Sequence, residues 1–256
     1  MVTVTINGRK KQYPEGISYE DIAKEYQPEY GGFIALAAEN GKIRELFKPL
    51  KEDCNLDFFT FRDDIGYKTY VRTATMLFLK AVSDLFGTKA AQNCRVECAI
   101  GNGQYIWPQG KIEASSENAV RIAQKMRELV AGQIFFRKKS YSLEEAMKLF
   151  KEQGMEDKEK LFYYRRSSFV NIYELDGYYD YHYGYMLPHT GYVKWFDVIC
   201  YDEGFMLLLP DKKNPDAVEP FVEQKKLFRT LRESESWDKA IGIETVGDLN
   251  DTICMG

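Results

Sequence analysis

Histidine is nearly absent: the 256 residues hold two, His182 and His189, and both fall between Tyr173 and Tyr192. No second Cys/His pair stands at a familiar zinc spacing from Cys94 and Cys98, which argues against a metal knuckle. No apolar run reaches the roughly 20 residues of a membrane-spanning helix, so a membrane role is not expected. The formal charge of −4 lacks the basic excess of a chain-wide nucleic-acid footprint, and DNA is not an expected partner. Five cysteines, an odd number, follow an opening Val2-Thr3-Val4-Thr5-Ile6 that is no signal peptide. Reduced thiols and a cytoplasmic setting are expected. Internal repeats and low-complexity tracts are absent as well.

What is present is apolar material for a core, 45% of residues, in a length that suggests one large or two unequal domains. Val2 to Ile6 alternates as a strand, Asn7-Gly8 is a hairpin turn, and Lys11 to Tyr13 returns. Ser18 followed by Asp21 signals a helix over Tyr19 to Tyr26. Phe33 to Ala37 reads as a strand, Asn40-Gly41 as a second turn, Lys42 to Leu46 as its return, and Leu56 to Phe61 closes the unit. Strand, strand, helix, strand, strand, strand is the order of a β-grasp.

After Asp64 the periodicity changes. Tyr70 to Phe86 and Ser116 to Ala131 read as helices, with strands Arg95 to Ile100 and Gln104 to Trp107 between them. Ser142 and Glu145 form a capping box for a third helix ended by Gly154. The tyrosine-dense stretch reads either as a pocket wall or as a strand pair packed with amphipathic aromatics. Strands over Val193 to Cys200 and Phe205 to Leu209 follow, and the last thirty residues read as helical. Arg9-Lys10-Lys11, Arg137-Lys138-Lys139, Arg165-Arg166 and Lys225-Lys226 read as solvated faces, and His189 as a surface turn residue.

These residues carry a resemblance. The first unit looks like a TGS domain. Leu77 to Val82, Gly101-Asn102-Gly103-Gln104-Tyr105 and Asp180 to Pro188 make the rest similar to the editing domain of threonyl-tRNA synthetase. Tyr181-His182-Tyr183-Gly184, Pro188 to Tyr192 and the tail Thr245 to Asn250 resemble the front of a bacterial family of nucleoside (uridine-type) kinases. The resemblance implies an α+β fold: a TGS-like β-grasp over 1–62, an editing-like domain over 63–227, and a helical tail over 228–256 leading toward a kinase domain. Gly-x-x-x-x-Gly-Lys-Ser/Thr occurs nowhere, so ATP and Mg²⁺ are expected only for that missing domain, and no cofactor is expected in this chain. The expected function is a non-catalytic, ligand-sensing front half of a nucleoside kinase, partnered by its own kinase domain. Two alternatives remain: a residual aminoacyl-ester hydrolase, and a freestanding RNA- or nucleotide-binding module.

The editing motif, His-x-x-x-His paired with Cys-x-x-x-His, falls on Arg72 and Met76, then on His182 and Met186. Arginine offers no lone pair and a thioether cannot shuttle protons, so neither a catalytic nor a metal role is expected. The resemblance places Tyr105 and Asp180 on the pocket lining. The expected ligand cleft comprises Arg72, Met76, Lys80, Tyr105, Asp180, Tyr181, His182, Tyr183 and Met186. Arg72 pairs with Asp180 there and Tyr181 or Tyr183 stacks a nucleoside, a nucleotide or an RNA end. A purely structural Arg72–Asp180 pair with core tyrosines is the other reading, and a lone His182 base aided by Lys80 is the hydrolase's.

Overall fold

A computed structural model describes residues 1–152, 155–164, 167–243 and 245–255, with backbone alone at 156, 157, 159, 160, 235, 236, 238–240 and 255. Gly154, Arg165 and Arg166 therefore lie outside the described residues.

The first unit runs β1 (Val2–Ile6), β2 (Arg9–Tyr13), α1 (Tyr19–Tyr26), β3 (Ile34–Glu39), β4 (Lys42–Glu45) and β5 (Cys54–Thr60). Its sheet has the order β2-β1-β5-β3-β4, with β1 and β5 parallel and the other pairs antiparallel, which is the β-grasp arrangement. Both hairpins turn on Asn-Gly pairs with positive φ at each residue (Asn7 49°, Gly8 75°; Asn40 48°, Gly41 79°), the backbone whose twist matches the flanking strands. Ser18 caps α1 by accepting from the Asp21 N–H at 3.1 Å. α1 then packs Tyr19, Ile22, Ala23 and Tyr26 into one core with Val4, Ala37, Leu56 and Phe58.

The second unit contains α2 (Asp64–Phe86), α3 (Thr88–Gln92), β6 (Arg95–Ile100), β7 (Gly103–Trp107), α4 (Ser116–Ala131), β8 (Arg137–Ser142), α5 (Leu143–Glu152), α6 (Glu156–Tyr163), β9 (Phe169–Leu175), β10 (Tyr178–Asp180), β11 (Asp197–Tyr201) and β12 (Gly204–Leu208). Helices α7 (Lys225–Ala240) and α8 (Val246–Met255) end the chain. Two antiparallel sheets form, β11-β12-β7-β6 and β10-β9-β8, so the fold class is α+β. Along β7 and β12 the side chains alternate between faces: Ile106, Phe205 and Leu207 join the core under α2 and α4, while Tyr105, Met206 and Leu208 face Phe228 of α7.

α2 begins two turns before the expected Tyr70, because the chain passes from β5 straight into the helix. Gly66 permits this: a Cβ there would stand 1.9 Å from the Thr60 carbonyl oxygen. The two units share one core through Ala35, Leu36 and Phe61 against Tyr70 and Ala74. The Tyr70 hydroxyl donates to the Trp195 carbonyl at 2.5 Å and seals that contact.

Several expectations change. Arg137-Lys138-Lys139 starts β8, paired with β9 along its length; Arg137 and Lys139 are exposed as expected, and Lys138 turns inward to Glu45. Val193 to Phe196 precedes β11 rather than opening it. His189 is no surface turn residue. Its Nδ1 accepts from the Gly191 N–H at 3.1 Å, its Nε2 stands 3.4 Å from Glu20 of α1, and its ring packs on Tyr192. Among the described residues no helix is long and apolar enough to cross a membrane.

Candidate functional site

The segment 176–187 lies along α2, and the spacing of four in Arg72, Met76 and Lys80 turns all three toward it. Lys80 donates to the Asp176 carbonyl at 2.8 Å and to Asp84 at 2.8 Å. Thr73 Oγ1 accepts from the Leu187 N–H at 3.1 Å. Met76 and Met186 are both fully buried, with Met186 Sδ 3.6 Å from the Thr73 hydroxyl. The expected cleft is therefore filled at its centre by two buried thioethers.

Arg72 does not pair with Asp180, contrary to the expectation. Its Nε donates to the Tyr185 carbonyl at 3.2 Å, and its guanidinium lies so close to Gly184 that a Cβ on that glycine would stand 2.6 Å from Cζ. Burial lowers the pKa of this guanidinium, opposed by the nearby Tyr173 and Glu45. Glu45, which comes from β4 of the first unit, anchors the same segment. It accepts from the Met186 N–H at 3.3 Å, from Lys138 Nζ at 3.1 Å and from the Tyr173 hydroxyl. That hydroxyl also lies 2.7 Å from the Gly184 carbonyl.

Asp180 instead binds Lys158, a residue the sequence reading missed. The carboxylate also accepts from the Tyr181 N–H at 2.6 Å and lies 3.5 Å from His182 Nε2. Burial works against the charged carboxylate, yet Lys158, His182 and the Tyr181 amide together hold its pKa below the usual range. Burial lowers the pKa of His182, and the opposing pull of Asp180 does not restore it. The imidazole is thus neutral near pH 7. Its Nε2 is sealed from solvent without an aligned hydrogen bond.

The remaining expected residues separate. Tyr105 is on the face of the four-stranded sheet away from α2, edge-on to Phe228 with centroids 5.0 Å apart, and is not part of the cleft. Tyr181 packs edge-on against Phe162 in the small core beneath β9. Tyr183 is 86% exposed and is the ring of this group free to stack. The structure thus brings together Arg72, Met76, Met186 and the backbone of 184–186 in one layer, and Lys158, Asp180 and His182 in another. Among the described residues, no group of three or more His, Cys, Asp or Glu side chains could hold a metal ion.

This geometry defines an α+β chain in which a β-grasp unit clamps the loop carrying the candidate site. Over 204 residues, 75% of its length, the chain is 30% identical to a threonine–tRNA ligase of Thermotoga petrophila and covers 29% of that protein. Threonine–tRNA ligases of Caldanaerobacter subterraneus (29% over 205 residues) and Porphyromonas gingivalis (25% over 198 residues) are also similar, each with 30% of its length covered. The chain thus spans less than a third of these relatives. No family model matches it. These relatives overturn the nucleoside-kinase reading and the transferase expectation, since the similarity runs to tRNA ligases.

Proposed function

We propose that the chain is an editing-type module that recognises the aminoacyl-bearing end of a tRNA. The single observation carrying this is the 30% identity to a threonine–tRNA ligase across three quarters of the chain. The geometry supports binding over fast hydrolysis, because Met76 and Met186 fill the centre of the cleft. Tyr183 offers the terminal base a stacking face, worth about 1–3 kcal/mol per base. Titrating labelled tRNA against the protein and its Tyr183→Ala variant tests the reading. Weakening by about 5-fold or more in the variant supports it, and equal affinity refutes it.

One observation favours a second reading, slow deacylation. A neutral imidazole 3.5 Å from a charged carboxylate is the pairing that orients a general base. Water would attack the carbonyl carbon and lose its proton to His182, the bond to the ribose oxygen would break, and the same proton would pass from His182 to that departing oxygen. Release of amino acid from mischarged tRNA that disappears in His182→Gln supports this second activity. Release that persists in that variant assigns it elsewhere.

A further inference from the structure

Between the β-grasp unit and the three-stranded sheet lies a groove of about 640 Å³ that goes beyond the tRNA-end reading; it shares Tyr185 and Glu45 with the 182–186 region but is not lined by His182, Tyr183 or Met186. Its walls come from both units. From the first come Tyr19, Glu39, Arg44 and the turn bearing Lys48, Lys51 and Glu52; from the second come Lys138, Ser140, Asn171 and Tyr185.

The register explains the second wall. Lys138 is opposite Tyr173, and Ser140 is opposite Asn171, so these four side chains share one face of the β8–β9 pair. The other face carries Val170 and Ile172 into the small core with Phe150 and Phe162. The floor is electrically closed. Glu45 is satisfied by Lys138, Tyr173 and the Met186 amide, and Glu39 by Arg44 at 2.8 Å and by the Tyr19 hydroxyl at 2.6 Å. The rim is not closed. Among the described residues neither Lys48 nor Lys51 has a carboxylate within ion-pair distance, and Ser140 and Asn171 spend no side-chain hydrogen bond. Tyr185 adds a half-buried ring whose backbone carbonyl is already committed to Arg72.

Two ammonium groups without carboxylate partners at a rim (that of Lys48 lies over the Phe47 ring), an aromatic ring and two uncommitted polar side chains inside match a molecule with an anionic end and a flat polar end. The volume is that of a small-molecule site. We propose that this groove binds a nucleoside polyphosphate, its phosphates on Lys48 and Lys51, its base on Tyr185 with the base edge toward Ser140 and Asn171. The unpaired Glu52 at the rim favours the magnesium complex over the bare anion. A charged rim contact pays for itself here because phosphate accepts charge-assisted hydrogen bonds, the stronger kind.

The test is a thermal-shift and calorimetric titration of the full chain with Mg-ATP, Mg-GTP, adenosine, inorganic tripolyphosphate and a short single-stranded RNA. Saturable binding of a nucleoside triphosphate, weakened about tenfold or more in Lys48→Ala/Lys51→Ala and again in Tyr185→Leu, supports the proposal. The unliganded melting temperatures of these variants report whether each still folds. Three outcomes overturn it: no triphosphate binding, tripolyphosphate binding as tightly as the nucleotides with no effect of Tyr185→Leu, or binding of RNA alone. Because Tyr183 lies outside the groove, Tyr183→Ala leaves nucleotide affinity unchanged, which separates this site from the tRNA-end cleft.

Discussion

Replacing Asp180 by alanine strands the Lys158 ammonium and removes the carboxylate facing His182. Asp180 is 3% exposed, and the Lys158 side chain is largely buried with it. Breaking a buried pair by deleting one partner costs about 3–5 kcal/mol, most of it the penalty of an uncompensated charge. For a chain of this size that corresponds to a melting temperature lower by roughly 6–20 °C. Asp180→Leu/Lys158→Met removes both charges, so its loss is smaller than that of either single change; the coupling energy is the double variant's loss minus the sum of the losses of Asp180→Leu and Lys158→Met alone. The pH dependence follows from the depressed carboxyl pKa. The contribution is complete above the unfolded value near 3.9 and disappears as pH falls through the folded value. Urea unfolding between about pH 3 and pH 6 therefore shows a steeper acid loss in the wild type than in Asp180→Ala. Additive single variants, or a cost for Asp180→Ala below about 1 kcal/mol, refute the idea that this pair organises the site.

Further outcomes are expected elsewhere. His182, with its lowered pKa, is stabilising in the neutral form, so stability falls as pH drops below the unfolded value of about 6.5; His182→Gln flattens that slope in urea melts. Gly66→Ala drives a methyl into the Thr60 carbonyl and costs more than about 3 kcal/mol, read as a collapse of the melting temperature; a tolerated alanine contradicts the described β5–α2 junction. Glu45→Ala leaves the Tyr173 hydroxyl, the Met186 amide and Lys138 without their acceptor, and about 3 kcal/mol or more of stability is lost in urea unfolding. With a thiol reagent at pH 8, exposed Cys254 reacts first, whereas Cys94, its pKa pushed by burial to about 12, reacts only after unfolding.

The β-grasp was legible because local chemistry specifies it: two Asn-Gly turns, one capped helix and alternating strands point the same way. The capping box of Ser142 and Glu145 was equally local, and both halves form, at 3.2 and 2.9 Å. What the letters hid depends on distant partners. Lys138 reads as surface until Glu45, from another unit, turns it inward. Lys158 stands 22 residues from Asp180 on a helix of its own, with no spacing to betray the pair. Tyr105 was misplaced by strand parity, since its neighbour Ile106 takes the α2 side of the same strand. Alternation along β7 would have offered that choice, but which face the helices cover is a tertiary fact. The two methionines Met76 and Met186 were singled out in sequence; that both close the cleft was not legible there.

The claim that this chain holds the end of a tRNA is tested most directly by comparing dissociation constants for one tRNA, intact and trimmed of its single-stranded 3′ terminus. Recognition of that terminus predicts about tenfold or greater loss on trimming, since even one stacked base carries about 1–3 kcal/mol. Equal affinity for the two tRNAs, or binding to neither, contradicts it.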